Sequence, residues 1–369
     1  MGTIVFHRVS KRFGRVEALK ELSLTCEPGE LTVVLGHSGA GKTTLLRLLA
    51  GLEIADEGEL RIDGAVVNDL PARARGVSMA FESYALYPQR TVFDNMAFSF
   101  RVARGDKKVS EEEIGRRVRD MADLLEIGQL LERLPRQLSG GQRQRVALGR
   151  TLVRDASVHL LDEPIAHLDA KLRHHLRGGL KHLQRGRGAT TLWTTPDQLE
   201  AVSVADRIAV FNHGVLEQAG TPADLYERPK NEYVARALGE PPMNIIEADV
   251  HRDGGDWGLR LGGASLPVGP GVSGPLGRLN GEGRVSVGFR PSDVAIHLSP
   301  PTGPSLETEV IVHEPLGQFG VVTVGTGEDA LKVKTAKEVR PDSGARAWLV
   351  PNPDRYHFFN PRTGESLGA

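Results

Sequence analysis

The sequence predicts an α/β domain with a mostly parallel sheet and a helical insert, followed by an all-β domain. Three observations carry that prediction. An apolar β-type run, Leu31–Leu35, leads through a glycine-rich stretch into a helical run, Leu45–Ala50, that stops at Gly51. Between Val158 and Gln218, β and α runs alternate, the pattern of parallel strands covered by helices. After about residue 240, short β runs broken by glycine and proline segments replace that alternation.

Taken in order, the chain opens with strand-like runs at Ile4–Val9 and Leu22–Cys26, with Phe13 expected in the turn between them. The stretch Gly36-His37-Ser38-Gly39-Ala40-Gly41-Lys42-Thr43-Thr44 then fits GxxxxGK[ST] between a strand and a helix. Glycines there let backbone N–H groups turn inward around phosphates, and the helix N-terminus adds partial positive charge. Lys42 is placed to reach β/γ oxygens, and the Thr43 hydroxyl to hold Mg²⁺. Gly58–Gly64 reads as a further hairpin strand. From about Tyr84 to Asp155 the pattern turns helical, with a capping box at Ser110–Glu113 and apolar Ile114, Val118, Met121 and Leu125 at helical spacing. Leu138–Gln142 leads into a helix expected over Arg143–Val153 and, read alone, is a helix cap. Val158–Glu163 is a buried-strand run ending in two acids. In a phosphate-loop protein Asp162 is the expected Mg²⁺ partner, and Glu163 can orient an attacking water. A helix over Ala170–Arg185 closed by Gly186, a strand at Ala189–Thr194, a helix at Asp197–Val204 and a strand pair at Arg207–Val210 and Val215–Gln218 follow.

Composition narrows the class. With 369 residues the chain exceeds one ordinary core. Its 46 Lys+Arg against 47 Asp+Glu give no reason to expect nucleic acid as a partner. One cysteine, Cys26, excludes an internal disulfide and fits a reducing compartment. No apolar run is long enough to cross a bilayer, so a membrane role would run through partner subunits.

With these residues in view, the chain resembles the ATPase subunits of ABC importers, in the carbohydrate, polyol and glycerol branch that includes the maltose-transporter ATPase. Leu138–Gln142 is similar to the LSGGQ signature, Val158–Glu163 to the Walker B strand, Leu168-Asp169 to the D-loop, and Ser83–Pro88 to the loop facing the transmembrane subunits. Phe13 resembles the adenine-stacking aromatic, and Gly288–Asp293 the GxRP element of the OB-like regulatory domain. The resemblance implies a P-loop NTPase domain over 1–238, with a helical subdomain at about 84–155, and an OB-like regulatory domain over 239–369. It implies ATP and Mg²⁺, with Glu163 and Lys42 catalytic and the loop Gly36–Thr44 holding the phosphates. Ser139, Gly140, Gly141 and Gln142 would act in trans on a second subunit's ATP in a head-to-tail dimer. Two transmembrane permease subunits, indirectly a solute-binding protein, and a place on the cytoplasmic face of the membrane complete the expectation.

Two positions depart from that pattern at the γ-phosphate end. Glu82 stands where a glutamine is usual; its carboxylate can still bind Mg²⁺ but adds negative charge beside a polyphosphate. Pro196 stands where the switch histidine precedes Asp197-Gln198, and proline has neither imidazole nor N–H. Thr195 and His167 are the nearby candidate stand-in donors. An intact loop, Glu163 and signature beside two altered positions suggest an asymmetric pair with a different, complete ATPase subunit. The alternative is a nucleotide-binding regulatory subunit with little hydrolysis of its own.

Overall fold

The computed structural model describes residues 2–102, 109–261, 263–279, 283–327 and 329–368. It contains two compact units, Met1–Pro222 and Ala223–Ala369.

The first unit contains, in chain order, β1 (Ile4–Phe13), β2 (Val16–Cys26), β3 (Leu31–Leu35), α1 (Lys42–Ala50), β4 (Glu57–Ile62), β5 (Ala65–Val66) and β6 (Val77–Ala80). There follow α2 (Val92–Arg101), α3 (Glu111–Leu124), α4 (Gly140–Leu152), β7 (Val158–Asp162), α5 (Ala170–Arg187), β8 (Thr190–Thr195), α6 (Gln198–Val204), β9 (Arg207–Asn212) and β10 (Val215–Gly220). One sheet has the order β10-β9-β3-β8-β7-β6 and is parallel except for the β9–β10 hairpin. Its middle strands β3, β7 and β8 are buried at every residue, because helices cover parallel strands on both faces. A second, antiparallel sheet has the order β2-β1-β4-β5. One core joins the two, with Phe6, Leu24 and Leu60 of the antiparallel sheet, Leu45 and Leu49 of α1, and Leu160 and Leu192 of the parallel sheet.

Several expected boundaries move for local reasons. Phe13 ends β1 instead of lying in a turn; the turn is Gly14-Arg15, with Gly14 at φ 58. Helix α5 runs past Gly186 and stops at Gly188, whose left-handed φ of 64 supplies the C-cap. Helix α4 begins at Gly140, not Arg143, because Ser139 caps it. In α3 the expected capping holds: Ser110 accepts from the Glu113 N–H, with three acids in the first turn facing the helix dipole. Within the expected helical stretch, residues 103–108 lie outside the described residues.

Helix α7 (Pro222–Glu227) starts on the last residue of the first unit, and the second continues with α8 (Glu232–Ala237), β11 (Asn244–Asp253), β12 (Asp256–Leu261), β13 (Ala264–Pro267), β14 (Gly283–Phe289) and β15 (Val294–His297). It ends with β16 (Leu306–Pro315), β17 (Phe319–Thr326), β18 (Asp329–Ala336), β19 (Arg346–Pro351) and β20 (His357–Phe359). These strands form two five-stranded antiparallel sheets, β13-β12-β11-β14-β20 and β15-β19-β16-β17-β18. Their inner faces share a core that includes Leu259, Val285, Val322, Val333 and Leu349. Contacts thus divide the chain at 222/223, where the sequence reading drew the boundary at 238/239. Arg290 is one of the groups that tie the two short helices to the strands, beside the Glu232 N–H bond to the Gly364 oxygen and the packing of Ala235 on Met243 and Phe359. The Arg290 guanidinium, 2% exposed, lies 3.9 Å over the Tyr226 ring and donates to the carbonyls of Tyr226 (2.7 Å), Ala235 (2.9 Å) and Leu238. Both short helices are therefore tied to the β-rich unit.

Candidate active site

The phosphate loop is shaped by two close approaches. A Cβ on Gly36 would lie 2.6 Å from the Phe211 carbonyl oxygen. Gly41, the residue before α1, has φ 102, and a Cβ there would lie 2.4 Å from the Ala18 oxygen. Only glycine fits either position, so the loop backbone packs against β2 and β9 and leaves its inner side open. Lys42, 5% exposed, curls over the loop: its Nζ donates to the Gly36 oxygen (2.9 Å) and the His37 oxygen (3.1 Å). The same Nζ lies 3.5 Å from Glu163 Oε1. The apolar run of β3 and the leucines of α1 fix both ends of this loop in the core.

Strand β7 delivers the two acids. Asp162 is buried, and its Oδ1 accepts from Thr194 Oγ1 at 2.7 Å and from Thr43 Oγ1 at 3.2 Å. Burial pushes the Asp162 carboxyl above its ordinary value, against those two hydrogen bonds; the charge of Glu82 adds to the push and that of Lys42 opposes it. Glu163 follows with φ 43, a left-handed conformation rare for a residue with a side chain. That backbone is held from both sides. Its N–H donates to Thr194, at 3.1 Å to the carbonyl and 3.2 Å to Oγ1, and its carbonyl accepts from Gln144 Nε2 at 2.9 Å. Gln144 also accepts from the His167 N–H at 3.2 Å, so α4 braces both the Glu163 corner and the segment after it.

An open cleft of about 560 Å³ is lined by Lys42, Thr43 and Glu163, with Asp162 buried behind it. Its walls include Ser38, Gly39, Gly41, Lys42, Thr43 and Thr44 of the loop, with Glu82 and Glu163 at one end. Arg15, Val16, Glu17, Ala18 and Lys20 of the β1–β2 hairpin, with His213, complete it. Phe13, on the same hairpin and 45% exposed, is not among the lining residues; Lys11 Nζ lies 5.1 Å over its ring. The His37 ring lies 4.6 Å from that of His213, and Ala40 is buried behind the loop. The signature residues Ser139, Gly140, Gly141 and Gln142 do not line this cleft. They form the N-terminus of α4, where Ser139 Oγ accepts from the Gln142 N–H (3.3 Å) and Gln142 Oε1 from the Ser139 N–H (2.9 Å).

At the γ-phosphate end, neither expected stand-in is available. Thr195 is buried, and its hydroxyl donates to Glu200 Oε2 at 2.7 Å while accepting from the Asp197 N–H at 3.1 Å. Its proton is therefore committed away from the cleft. His167 is exposed, does not line the cleft, and packs edge-on to Tyr84 with ring centroids 6.3 Å apart. Pro196 is exposed at the corner between β8 and α6.

Four positioning groups escaped the sequence reading: Thr194, Gln144, Arg173 and Glu200. Arg173 donates to the Leu168 oxygen at 3.0 Å and pairs with Asp197 at 3.4 Å, joining the D-loop-like segment to the corner after Pro196. Thr194, Gln144 and Arg173 act on groups 19 to 32 residues away, while Glu200 bonds Trp193 and Thr195 across the β8–α6 corner.

Among the described residues no group of three or more His, Cys, Asp or Glu side chains is arranged to hold a metal ion. One buried carboxylate beside one hydroxyl, facing a phosphate cradle, is nevertheless a donor set that suits Mg²⁺, which keeps water and substrate phosphates as its other ligands.

A phosphate loop on a parallel sheet, with two acids ending the next strand but one, defines a nucleotide-hydrolysing phosphate-loop domain. Residues 19–166 match the ABC transporter family. Over nearly the full length the chain is similar to import ATP-binding subunits. The trehalose/maltose protein of Thermococcus litoralis is 42% identical, covering 97% of this chain and 98% of that one. The sn-glycerol-3-phosphate protein of Salmonella typhi is 40% identical over 100% of both, and the xylose/arabinose protein of Haloferax volcanii 40% identical over 96% and 91%. A dimeric ATP-binding cassette solved in a post-hydrolysis state with ADP and Pi superposes with a TM-score of 0.55 at 30% identity, over 59% of this chain and 98% of that one. The chain belongs to the ATP-binding proteins of ABC transporters, and its site is that of an ATPase.

Proposed function

We propose that this chain is the ATP-binding and ATP-hydrolysing subunit of an ABC importer for a small polar solute, a sugar, polyol or glycerol derivative. The observation that supports it most is the convergence of Lys42, Thr43 and Glu163 in one cleft, with Asp162 bonded to Thr43 behind it, in a chain similar, end to end, to sugar and glycerol-phosphate import subunits. In this reading the amides of Gly36–Thr44 and the Lys42 ammonium bind the β- and γ-phosphates. Thr43 and Asp162 hold Mg²⁺, with Glu82 within reach of the same region, and the ion supplies charge neutralisation on the transferred phosphoryl group. Glu163, its backbone pinned by Thr194 and Gln144, orients the attacking water and accepts its proton. Ser139–Gln142 serve a second subunit's nucleotide in a head-to-tail dimer, and the aromatic Phe13 stacks on adenine. Two permease subunits hold the dimer at the cytoplasmic face, and a solute-binding protein acts through them; among the described residues no helix is long and apolar enough to cross a membrane.

Glu82 and Pro196 favour a finer reading, in which the partner is a different and complete ATPase subunit and the faster hydrolysis occurs at the partner's site. The alternative is a regulatory subunit that hydrolyses little. Glu163→Gln separates them: it should lower phosphate release ~10²–10⁴-fold with nucleotide binding kept. Unchanged turnover and transport would favour the regulatory role. Full ATPase activity from the lone homodimer would sink the asymmetric pair.

A further inference from the structure

The residue that carries an inference beyond this reading is Thr194, which sits opposite Asp162 in the parallel β7–β8 ladder. It is fully buried, so its hydroxyl meets no water and must bond within the protein. That one hydroxyl serves both acids of the site. It donates to Asp162 Oδ1 at 2.7 Å and accepts from the Glu163 N–H at 3.2 Å, sharing that N–H with the Thr194 carbonyl at 3.1 Å. Asp162 has a second donor, Thr43, at 3.2 Å, the longer contact and the one whose oxygen is wanted by a cation. Glu163 meanwhile sits at φ 43, a conformation that persists only where its surroundings over-determine it.

We propose that Thr194 is a positioning residue for the ATPase reaction: through one hydroxyl it sets the rotamer of the Mg²⁺-binding carboxylate and the backbone of the water-orienting glutamate. The inference rests on the ATP–Mg²⁺ reading of the site given above. Thr194 does not line the cleft; it acts through Asp162 and Glu163. Hydrogen-bond partners behind a metal ligand fix that ligand's orientation and, when removed, typically cost ~10–100-fold in metal affinity.

The test uses the full-length chain carrying Thr194→Val, which keeps the shape and β-branching but loses the hydroxyl. Thr194→Ala serves as a second hydroxyl-free variant, and Thr194→Ser keeps the hydroxyl. Retention of a fluorescent ATP analogue is titrated with and without Mg²⁺, and steady-state phosphate release gives kcat and KM. Thr194→Val and Thr194→Ala should lose ~10–100-fold of the Mg²⁺-dependent gain in nucleotide affinity, with Mg²⁺-free affinity unchanged and the loss in turnover falling on kcat. Thr194→Ser should restore both. A serine variant as defective as valine, or Mg²⁺-free binding that falls equally, overturns the proposal, since packing would then explain the effect. An unsubstituted chain that gains nothing from Mg²⁺ overturns the site reading and this inference together. A wild-type gain shared in full by Thr194→Val overturns the inference alone.

Discussion

Replacing Pro196 by histidine puts the departure at the γ-phosphate end to a direct test. As the corner stands, its polar groups are committed elsewhere: Thr195 Oγ1 to Glu200, the Asp197 N–H to Thr195, and the Asp197 carboxylate to the amides of Leu199 (2.8 Å) and Glu200 (3.2 Å) and to Arg173. None of these bonds involves residue 196, which is exposed. The substitution should therefore leave the corner in place and cost at most about 1 kcal/mol of stability, through the freer unfolded chain. What it adds is one donor toward the phosphate. A hydrogen bond to a charged group contributes about 1.5–3 kcal/mol; realised only as charge develops in transfer, that corresponds to ~10–150-fold in kcat. The assay is steady-state phosphate release by the purified chain, with ATP affinity measured in parallel and Pro196→Ala as the backbone control. Histidine should raise kcat and alanine should not. If Pro196→His binds ATP normally and turns over no faster, or if alanine does as well, then position 196 does not limit the site and the argument for asymmetry from proline is lost.

Two further predictions follow from charge. Glu82→Gln removes one of the carboxylates that line the cleft with Lys42, and with it a repulsion of about 1 kcal/mol at a solvated site. Mg²⁺-free ATP should bind ~5-fold tighter, and a titration showing equal or weaker binding would mean that the carboxylate is not working against the polyphosphate. Glu200, 2% exposed, is pushed up to about 7 by burial, against hydrogen bonds from Thr195 and Trp193, with Asp197 adding to the push. Its folded value lies above the unfolded one, so between those values the native state keeps a proton that the unfolded chain has lost. Stability should accordingly fall as pH rises from about 4.5 to 7, by up to ~3 kcal/mol. Urea unfolding at pH 5 and pH 8 checks this: Glu200→Gln, which mimics the protonated form, should lose less than the wild type, and parallel losses would exclude Glu200 as the source.

How much of this was legible in the chain depends on how far apart the interacting residues lie. The phosphate loop was readable to the residue because its chemistry is local: Gly36 and Gly41 supply the close backbone approaches, and Lys42 and Thr43 open the helix at a fixed offset. The strand ending in Asp162-Glu163 was readable for the same reason. The groups that hold those acids were not. Thr194 meets Asp162 only because β8 lies beside β7 in that register, a pairing 32 residues apart that leaves no periodic trace. Helix ends moved where caps decided them, as at Gly188 and Ser139, since a glycine two residues early looks the same in one dimension. The ties that place residues 223–238 with the second unit include a buried arginine bonded to backbone carbonyls and backbone bonds to residues 364–366, and such partners carry no sequence signal.

The two threonines that end β8 show why the γ-phosphate end cannot be judged from residue 196 alone. Being adjacent in a strand, they face opposite ways. The Thr194 hydroxyl goes toward the catalytic acids and the Thr195 hydroxyl toward Glu200 at the start of α6. The sequence reading offered Thr195 as a substitute donor, but alternation aims it away from the nucleotide and Glu200 consumes its proton. The hydroxyl that does face the site, on Thr194, already bonds both acids and has no second proton to give a phosphate. Both hydroxyls of that strand end are thus engaged in bracing Asp162, Glu163 or the α6 corner. Beyond the loop amides and Lys42, a further donor from this corner must then come from residue 196, or else from another subunit. That is the physical content of the asymmetric reading, and it is why Pro196→His, and not a change at either threonine, decides it.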